Sequence, residues 1–178
     1  MVALLLAEGF EEIEALTPLD VLRRVDVEIE TVGIGGKLIT GGHGITVAAD
    51  KCSDEADIAD YDTVILPGGL LGTKNIDESE FADKLISEII KKNGRVCAIC
   101  AAPTVLGKRG LLVGRRAVCY PGMEDALTGA IISSEGVVTD GNITTARGMG
   151  VALEFAKELV RLLKDGETAI RLSKSIAE

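Results

Sequence analysis

Short apolar runs alternate with helical patterns along almost the whole chain, and this alternation constrains the fold more than any other feature. The predicted strands are, in chain order, Val2–Ala7, Val27–Val32, Ile45–Ala48, Thr63–Leu66, Arg95–Ile99, Arg116–Cys119, Ala130–Ser133, Val137–Thr139 and Ile143–Ala146. The predicted helices are Glu11–Arg24, Ser79–Lys92, Ala101–Gly107, Gly150–Leu163 and Glu167–Ser175. Strands that alternate with helices form β-α-β units, so we expect an α/β fold whose mostly parallel sheet carries helices on both faces.

Local breakers refine this pattern. Pro18 lies inside the first helical pattern and predicts a kink or break there. The glycine-rich stretch Gly33–Gly44 predicts turns or a short hairpin, and Asp140-Gly141-Asn142 predicts a hairpin turn between the last two β segments.

Composition bounds the class of protein. With 178 residues and 47% hydrophobic content, residues 1–178 are predicted to form one folded domain. No apolar run approaches the roughly 18 residues that span a membrane. The apolar start has no basic residues before it and is predicted to be a core strand, so a cytoplasmic location is expected. A net charge of −9 without a basic run argues against specific nucleic-acid binding.

The four cysteines are too few and too scattered for a disulfide framework, and the single histidine, His43, lies far from any cysteine pair, which argues against a zinc site. Cys97 and Cys100 have the spacing of a redox pair. However, Cys97 lies within a predicted strand, so the two side chains are expected on opposite faces with Cα atoms about 10 Å apart.

Cys100 is the main candidate for chemistry because it joins an apolar strand to the small residues that open a helix. At such a corner the sulfur is held out of the core, and unpaired N–H groups at the helix start favour the thiolate. The alternative is a small buried cysteine that ends a strand.

Three loops follow predicted strands and could converge on one site: Glu8–Glu14, Pro67–Gly72 and Cys100–Pro103. The N–H of Gly69 could form part of an oxyanion hole, although a tight turn would need glycine for steric reasons alone. A carboxyl held beside the sulfur would have a raised pKa and could shuttle a proton. The helix dipole explains Glu11 and Glu12 adequately. Glu14 differs because it lies near where the helix meets the sheet, although periodicity alone does not choose it from its neighbours.

Two further residues have ambiguous roles. His43 is expected in a solvated turn away from the site, so a cysteine–histidine protease or amidotransferase is disfavoured. Arg147, between the last strand and the long helix, could bind an anion, but we expect it to bond loop carbonyls in a structural role.

Taken together, the motifs resemble those of the Parkinsonism-associated deglycase family, the DJ-one branch of the ThiJ/PfpI superfamily. They are Ala7–Glu14, Leu66–Gly69, Ala98–Pro103, Thr145–Gly148 and Glu154–Ala156, in order and with compatible spacing over nearly the whole chain.

The resemblance implies a flavodoxin-like sandwich that forms a homodimer. It implies that Cys100 is a nucleophile on a strained elbow, that Glu14 is the protonated partner of its sulfur, and that Gly69 and Ala101 supply the oxyanion hole. Tyr120 stands where many members have a histidine before the proline, and it is a possible substrate contact. His43 falls loosely near a basic position that reaches the partner's site in some members.

The implied activity is that of a cofactor-free, metal-free glyoxalase or deglycase. Its substrate class is methylglyoxal-type 2-oxoaldehydes or their early adducts, and its role is protection against carbonyl and oxidative stress. The alternative is a redox-sensing or chaperone-like stress protein that signals through oxidation of Cys100. The sequence alone does not separate the two, because the same sulfur serves both.

Overall fold

The computed structural model describes residues 1–177 as a central β-sheet with helices on both sides. The strands are β1 Val2–Leu6, β2 Ile29–Gly33, β3 Leu38–Thr40, β4 Thr46–Ala48, β5 Lys51–Cys52, β6 Thr63–Leu66, β7 Arg95–Ile99, β8 Arg116–Ala117, β9 Ile131–Ile132, β10 Val137–Asp140 and β11 Ile143–Ala146. The α-helices are α1 Glu12–Arg24, α2 Leu70–Asp77, α3 Glu80–Lys91, α4 Pro103–Lys108, α5 Ala152–Leu163 and α6 Gly166–Ser175. No helix among these residues is long and apolar enough to cross a bilayer.

The main sheet has seven strands in the order β10-β11-β7-β6-β1-β2-β5. Five adjacent strands of this sheet run parallel, in the spatial order β2, β1, β6, β7 and β11. Renumbered by their order along the chain, these strands have the arrangement 2-1-3-4-5 of flavodoxin-like folds. Only β10 pairs antiparallel, in the predicted hairpin with β11. The predicted α/β fold, with its mostly parallel sheet, is confirmed. Because the strands are parallel, their carboxyl ends share one edge, and the three candidate loops lie there.

The core consists of two apolar layers, one on each face of the sheet. Alternation within β1 supplies both: Ala3 and Leu5 belong to the layer under α2, α3 and α4, whereas Leu4 and Leu6 belong to the layer under α1, α5 and α6. Burial on both faces explains why the strands are continuous apolar runs rather than alternating patterns.

Three local expectations have definite outcomes. Helix α1 continues through Pro18, so the predicted break does not occur: the proline removes one helical hydrogen bond, but it is buried and α1 packs its apolar side against the sheet. The glycine-rich stretch forms the β3–β4 hairpin. The predicted helix start at Ser79 is confirmed, because Ser79 caps α3 through a bond from the Ala82 N–H to its hydroxyl.

Candidate active site

The three predicted loops converge at the carboxyl edge of the sheet. The Glu11 N–H donates to the Gly68 carbonyl at 3.0 Å, and the Gly72 N–H donates to the Gly9 carbonyl at 3.1 Å. A Cβ at Gly68 would overlap both the Glu14 carboxyl and the Cys100 Cβ. The first two loops are therefore tied together by backbone bonds, and the third lies against them without room for a side chain between.

Cys100 stands at the corner between β7 and the turn before α4, with a backbone φ of +65°. A left-handed conformation costs a non-glycine residue about 1–2 kcal/mol, and two backbone bonds hold it in place. The Cys100 N–H donates to the Ala146 carbonyl at 2.9 Å, and its carbonyl accepts from the Tyr120 N–H at 2.8 Å. The partly buried sulfur accepts hydrogen bonds from the N–H groups of Ala101 and Gly69.

The positive φ also changes where the Cys100 side chain points. Cys97 is buried in the layer under α1 and α5, and Cys100 contacts that same layer rather than the opposite one. The expectation of opposite faces is wrong because the left-handed turn at Cys100 ends the strand alternation. Both residues are free thiols.

Glu14 is the acid that reaches the sulfur. Its carboxyl is buried, shares a hydrogen bond with the Cys100 thiol, and accepts the Gly68 N–H at 3.0 Å and the Met149 N–H. Its acidic neighbours have other partners. Glu11 caps α1 by accepting the Glu14 N–H at 2.7 Å, and Glu12 bonds His43.

Burial raises the pKa of Glu14 to about 7, and the nearby charge of Glu11 acts in the same direction. The hydrogen bonds from Cys100, Gly68 and Met149 lower it, but by less. Near neutral pH, Glu14 therefore exchanges its proton easily, as a general acid–base group should.

The electrostatics of Cys100 differ from the expectation of a thiolate favoured by helix N–H groups. Burial and then the Glu14 carboxylate raise the pKa of the Cys100 thiol to about 12, and the Ala101 and Gly69 N–H groups lower it by less. The sulfur is thus a thiol while Glu14 is ionised, and a thiolate here requires the proton to be on Glu14.

The N–H groups of Gly69 and Ala101, the residues expected to form an oxyanion hole, are both directed at the Cys100 sulfur. Gly69 has φ +86° and starts α2, and a Cβ there would overlap the Gly9 carbonyl. The positive backbone angle and the close approach to the Gly9 carbonyl each require glycine at this position.

Tyr120 borders a shallow cavity of about 260 Å³ outside the sulfur, which Pro121 and residues 147–151 also line. Gly148 forms its floor: a Cβ there would be 3.5 Å from the Tyr120 ring and 3.9 Å from both Cys100 Sγ and Glu14 Oε1. Gly148 and the Met149 N–H are site features that motif reasoning missed. The glycines around Met149 were the available signal.

Arg147 differs from its expected setting, whereas His43 lies in an exposed turn as expected but closer to the three loops than expected. The exposed Arg147 side chain makes no hydrogen bond or ion pair to any residue of the described range 1–177, so the expected structural role is wrong. The His43 loop does not lie clear of the three loops, because the Gly42 N–H donates to the Phe10 carbonyl and His43 Nδ1 lies 2.8 Å from Glu12 Oε2. Glu12, a buried acid, draws this loop onto the start of α1.

Sequence and structure comparisons identify the family of this chain. Residues 1–162 match the model of the DJ-1/PfpI family. Protein dj-1beta of Drosophila melanogaster is 34% identical over 175 residues, which cover 97% of this chain and 94% of that protein. A deglycase of Pyrococcus abyssi is 32% identical over 165 residues, covering 92% of this chain and 99% of that protein.

Solved structures agree. The crystal structure of Drosophila melanogaster DJ-1beta has a TM-score of 0.92 and 33% identity, covering 98% of this chain and 96% of the other. A cysteine-to-alanine mutant of a DJ-1 superfamily protein from Salmonella typhimurium has a TM-score of 0.93 and 35% identity, with the same coverage. The fold, the family match and these identities over nearly full length lead to one conclusion: this chain belongs to the DJ-1/PfpI family.

Proposed function

We propose that this chain is a cofactor-free glyoxalase or deglycase acting on methylglyoxal-type 2-oxoaldehydes or their early adducts. The observation that carries the proposal is the hydrogen bond between the Glu14 carboxyl and the Cys100 thiol, beside two N–H groups that point at the sulfur. Relatives named as deglycases, from Pyrococcus abyssi and Pyrococcus horikoshii, support the same reaction class.

The proposed reaction begins when Cys100 Sγ attacks the aldehyde carbon while its proton passes to Glu14. The aldehyde oxygen becomes an oxyanion facing the N–H groups of Gly69 and Ala101, and takes the proton back from Glu14 to give a hemithioacetal. Glu14, again a carboxylate, then removes the proton from that carbon and delivers it to the neighbouring carbon. The hydroxyl proton moves to the neighbouring oxygen, which yields a thioester of the 2-hydroxy acid. Water hydrolyses the thioester, releasing the hydroxy acid and the free thiol.

The geometry suits each proton transfer. A carboxyl with a pKa of about 7 both accepts and donates protons near neutral pH. Tyr120, half exposed above Gly148, is in place to contact the substrate's second oxygen from the mouth of the cavity. The cavity of about 260 Å³ adjoins the sulfur through Gly148, where a Cβ would be 3.9 Å from Cys100 Sγ, and a volume of this size suits a short aldehyde.

Steady-state lactate formation from methylglyoxal tests the proposal. We expect Cys100→Ser to abolish turnover and Glu14→Gln to lower kcat by a factor of about 10²–10⁴, the range for loss of a general acid–base group. Cys52→Ser is the matched control, because Cys52 lies on the edge strand β5 away from the three loops, and its rate should equal that of wild type. A wild-type rate no higher than that of Cys100→Ser would refute the proposal.

A second candidate function is redox sensing through Cys100, and one observation favours it. The same two N–H groups and the Glu14 carboxyl surround a partly exposed sulfur, so they could donate hydrogen bonds to the oxygens of a sulfinate. A Toxoplasma gondii DJ-1 structure described as oxidized is 29% identical, with a TM-score of 0.91.

Peptide mass spectrometry after limited peroxide treatment tests the redox-sensing function. We expect two added oxygens on Cys100 before the other cysteines react, and an unmodified Cys100 beside oxidised Cys52 would reject it.

We also propose that the chain forms a homodimer, which family membership favours. The outer side of α1 supports a second copy there, because Ile13, Ile45 and Leu153 are exposed around one groove of about 660 Å³.

A further inference from the structure

We propose that Glu11, Glu12 and His43 form a binding site for a divalent transition-metal ion, separate from the sulfur site. One ligand atom from each residue lies within 4.8 Å of the other two. The ligands come from two segments, the start of α1 and the β3–β4 loop, which the fold brings together. Cysteine spacing does not predict this site, because its ligands are carboxylates and the single imidazole of the chain.

The Glu12 carboxylate is fixed before any ion arrives. It is 4% exposed, its Oε1 accepts the His43 N–H at 2.7 Å, and its Oε2 lies 2.8 Å from His43 Nδ1. The loop packs so closely that a Cβ at Gly41 would overlap this carboxyl group. A buried carboxylate held by these bonds is an oriented ligand which needs little reorganisation.

Glu11 and His43 keep ligand atoms available. Glu11 uses Oε2 to accept the Glu14 N–H, which orients its carboxylate and leaves Oε1 without a protein hydrogen bond among residues 1–177. The His43 side chain is 74% exposed, so the imidazole has room to turn once its bond to Glu12 is released. An ion would displace the proton between His43 Nδ1 and Glu12 Oε2, since metal ligands must be deprotonated.

Distances and chemistry indicate the class of ion. Zinc lies about 2.0–2.2 Å from nitrogen and oxygen ligands, so two of its ligands are at most about 4.4 Å apart. Ligand atoms within 4.8 Å therefore reach this geometry through a small rotation of the exposed imidazole. Imidazole with carboxylates suits zinc and nickel, whereas calcium and magnesium prefer oxygen alone. The positive end of the α1 dipole opposes a cation, but the two full carboxylate charges outweigh its partial charge.

Calorimetric titration of the full-length reduced chain with Zn²⁺ tests the site. We expect one ion per chain at this site in wild type and in Cys100→Ser, which removes the competing reactive thiol. His43→Gln should weaken binding at least about tenfold without unfolding the chain, since the side chain is exposed. Glu11→Gln is the second variant: its amide oxygen retains the cap on α1 while the charge is lost, and binding should again weaken.

The single histidine gives an independent readout. Its ring resonances report only His43, so Zn²⁺ should shift them in wild type and in Cys100→Ser. The proposal is overturned if those resonances do not move, if His43→Gln and Glu11→Gln bind Zn²⁺ as wild type does, or if the only binding disappears with Cys100→Ser. The proposed enzymatic function is unaffected by any of these results, because no step of it uses the ion.

Discussion

Glu14 depends on its neighbours for both its position and its proton. Glu11 holds the Glu14 backbone at the start of α1, Gly68 leaves room for its carboxyl, and Cys100 shares its hydrogen bond. Burial makes the charged form expensive, so the carboxyl holds its proton to higher pH in the folded chain than in the unfolded one. This difference links protonation to folding stability.

We expect the stability of wild type to fall as the pH rises through the titration of Glu14. Its folded pKa is about 7 and its unfolded value is about 4.5, so between these the unfolded chain has lost a proton that the folded chain retains. The stabilisation from this group is fully present below pH 4.5 and is lost as the pH rises through 7. The loss is on the order of 3 kcal/mol.

Urea unfolding of wild type and Glu14→Gln between pH 4.5 and 8.5 measures this effect. Glutamine does not titrate, so the stability of the variant relative to wild type should increase across that interval. Glu80→Gln is the control, because the Glu80 side chain is 90% exposed and its difference from wild type should stay nearly constant. Curves for wild type and Glu14→Gln that run parallel would contradict the prediction.

Residue spacing alone pointed to this loop but did not single out the acid that contacts the sulfur. Three glutamates share the start of α1, and their spacing gives each of them a helical position with no partner specified. The choice is made by partners distant in sequence: His43 for Glu12, and Gly68 and Cys100 for Glu14. The family resemblance identified Glu14 because it carries information on those partners that spacing lacks.

At the scale of elements, the site is a set of strand-to-helix turns, and Gly69 starts one of them. Its φ of +86° costs other residues about 1–2 kcal/mol, and a Cβ would also overlap the Gly9 carbonyl and stand 2.8 Å from Glu11 N. Gly69→Ala should therefore lower the free energy of unfolding by more than the cost of the backbone strain alone. Activity should also fall, because the loop that carries the Gly69 N–H must move.

Gly35→Ala separates the two effects. Gly35 has nearly the same φ, +85°, but a Cβ there would meet nothing within 4 Å. In chemical denaturation, Gly35→Ala should lower the free energy of unfolding by about 1–2 kcal/mol, and activity should be retained. Equal losses of stability and activity in both variants would show that contact with the first loop has no role.

The elements themselves were largely predictable because apolar runs and caps are local signals. Thr63–Leu66 and Arg95–Ile99 agree with their predicted bounds, and Ser79 caps α3. Helix α2 was not delimited in advance: Leu70 and Leu71 are exposed, so its first turn lacks an apolar stripe facing the core. At Pro18 a local signal gave the wrong prediction, because the packing of α1 against the sheet outweighed the tendency of proline to break a helix.

At the scale of the whole molecule, the strand order follows from chain connectivity and handedness. The position of an exposed apolar surface does not follow from these rules. The two apolar layers bury most large side chains, yet Ile13, Ile45 and Leu153 remain exposed around the groove beside α1. Exposed apolar groups that are clustered in this way usually mark a contact surface. A second copy of the chain would remove them from water.

Light scattering coupled to size exclusion tests this surface. We expect wild type to have twice the chain mass of 18.6 kDa. Ile13→Glu should shift the mass to that of one chain, because a charge buried between copies without a partner is costly. Val113→Glu is the matched control: Val113 is 64% exposed and does not line the groove, so its mass should stay at that of wild type. A wild-type mass of one chain would reject the homodimer, and an unchanged mass in Ile13→Glu would move its interface away from α1.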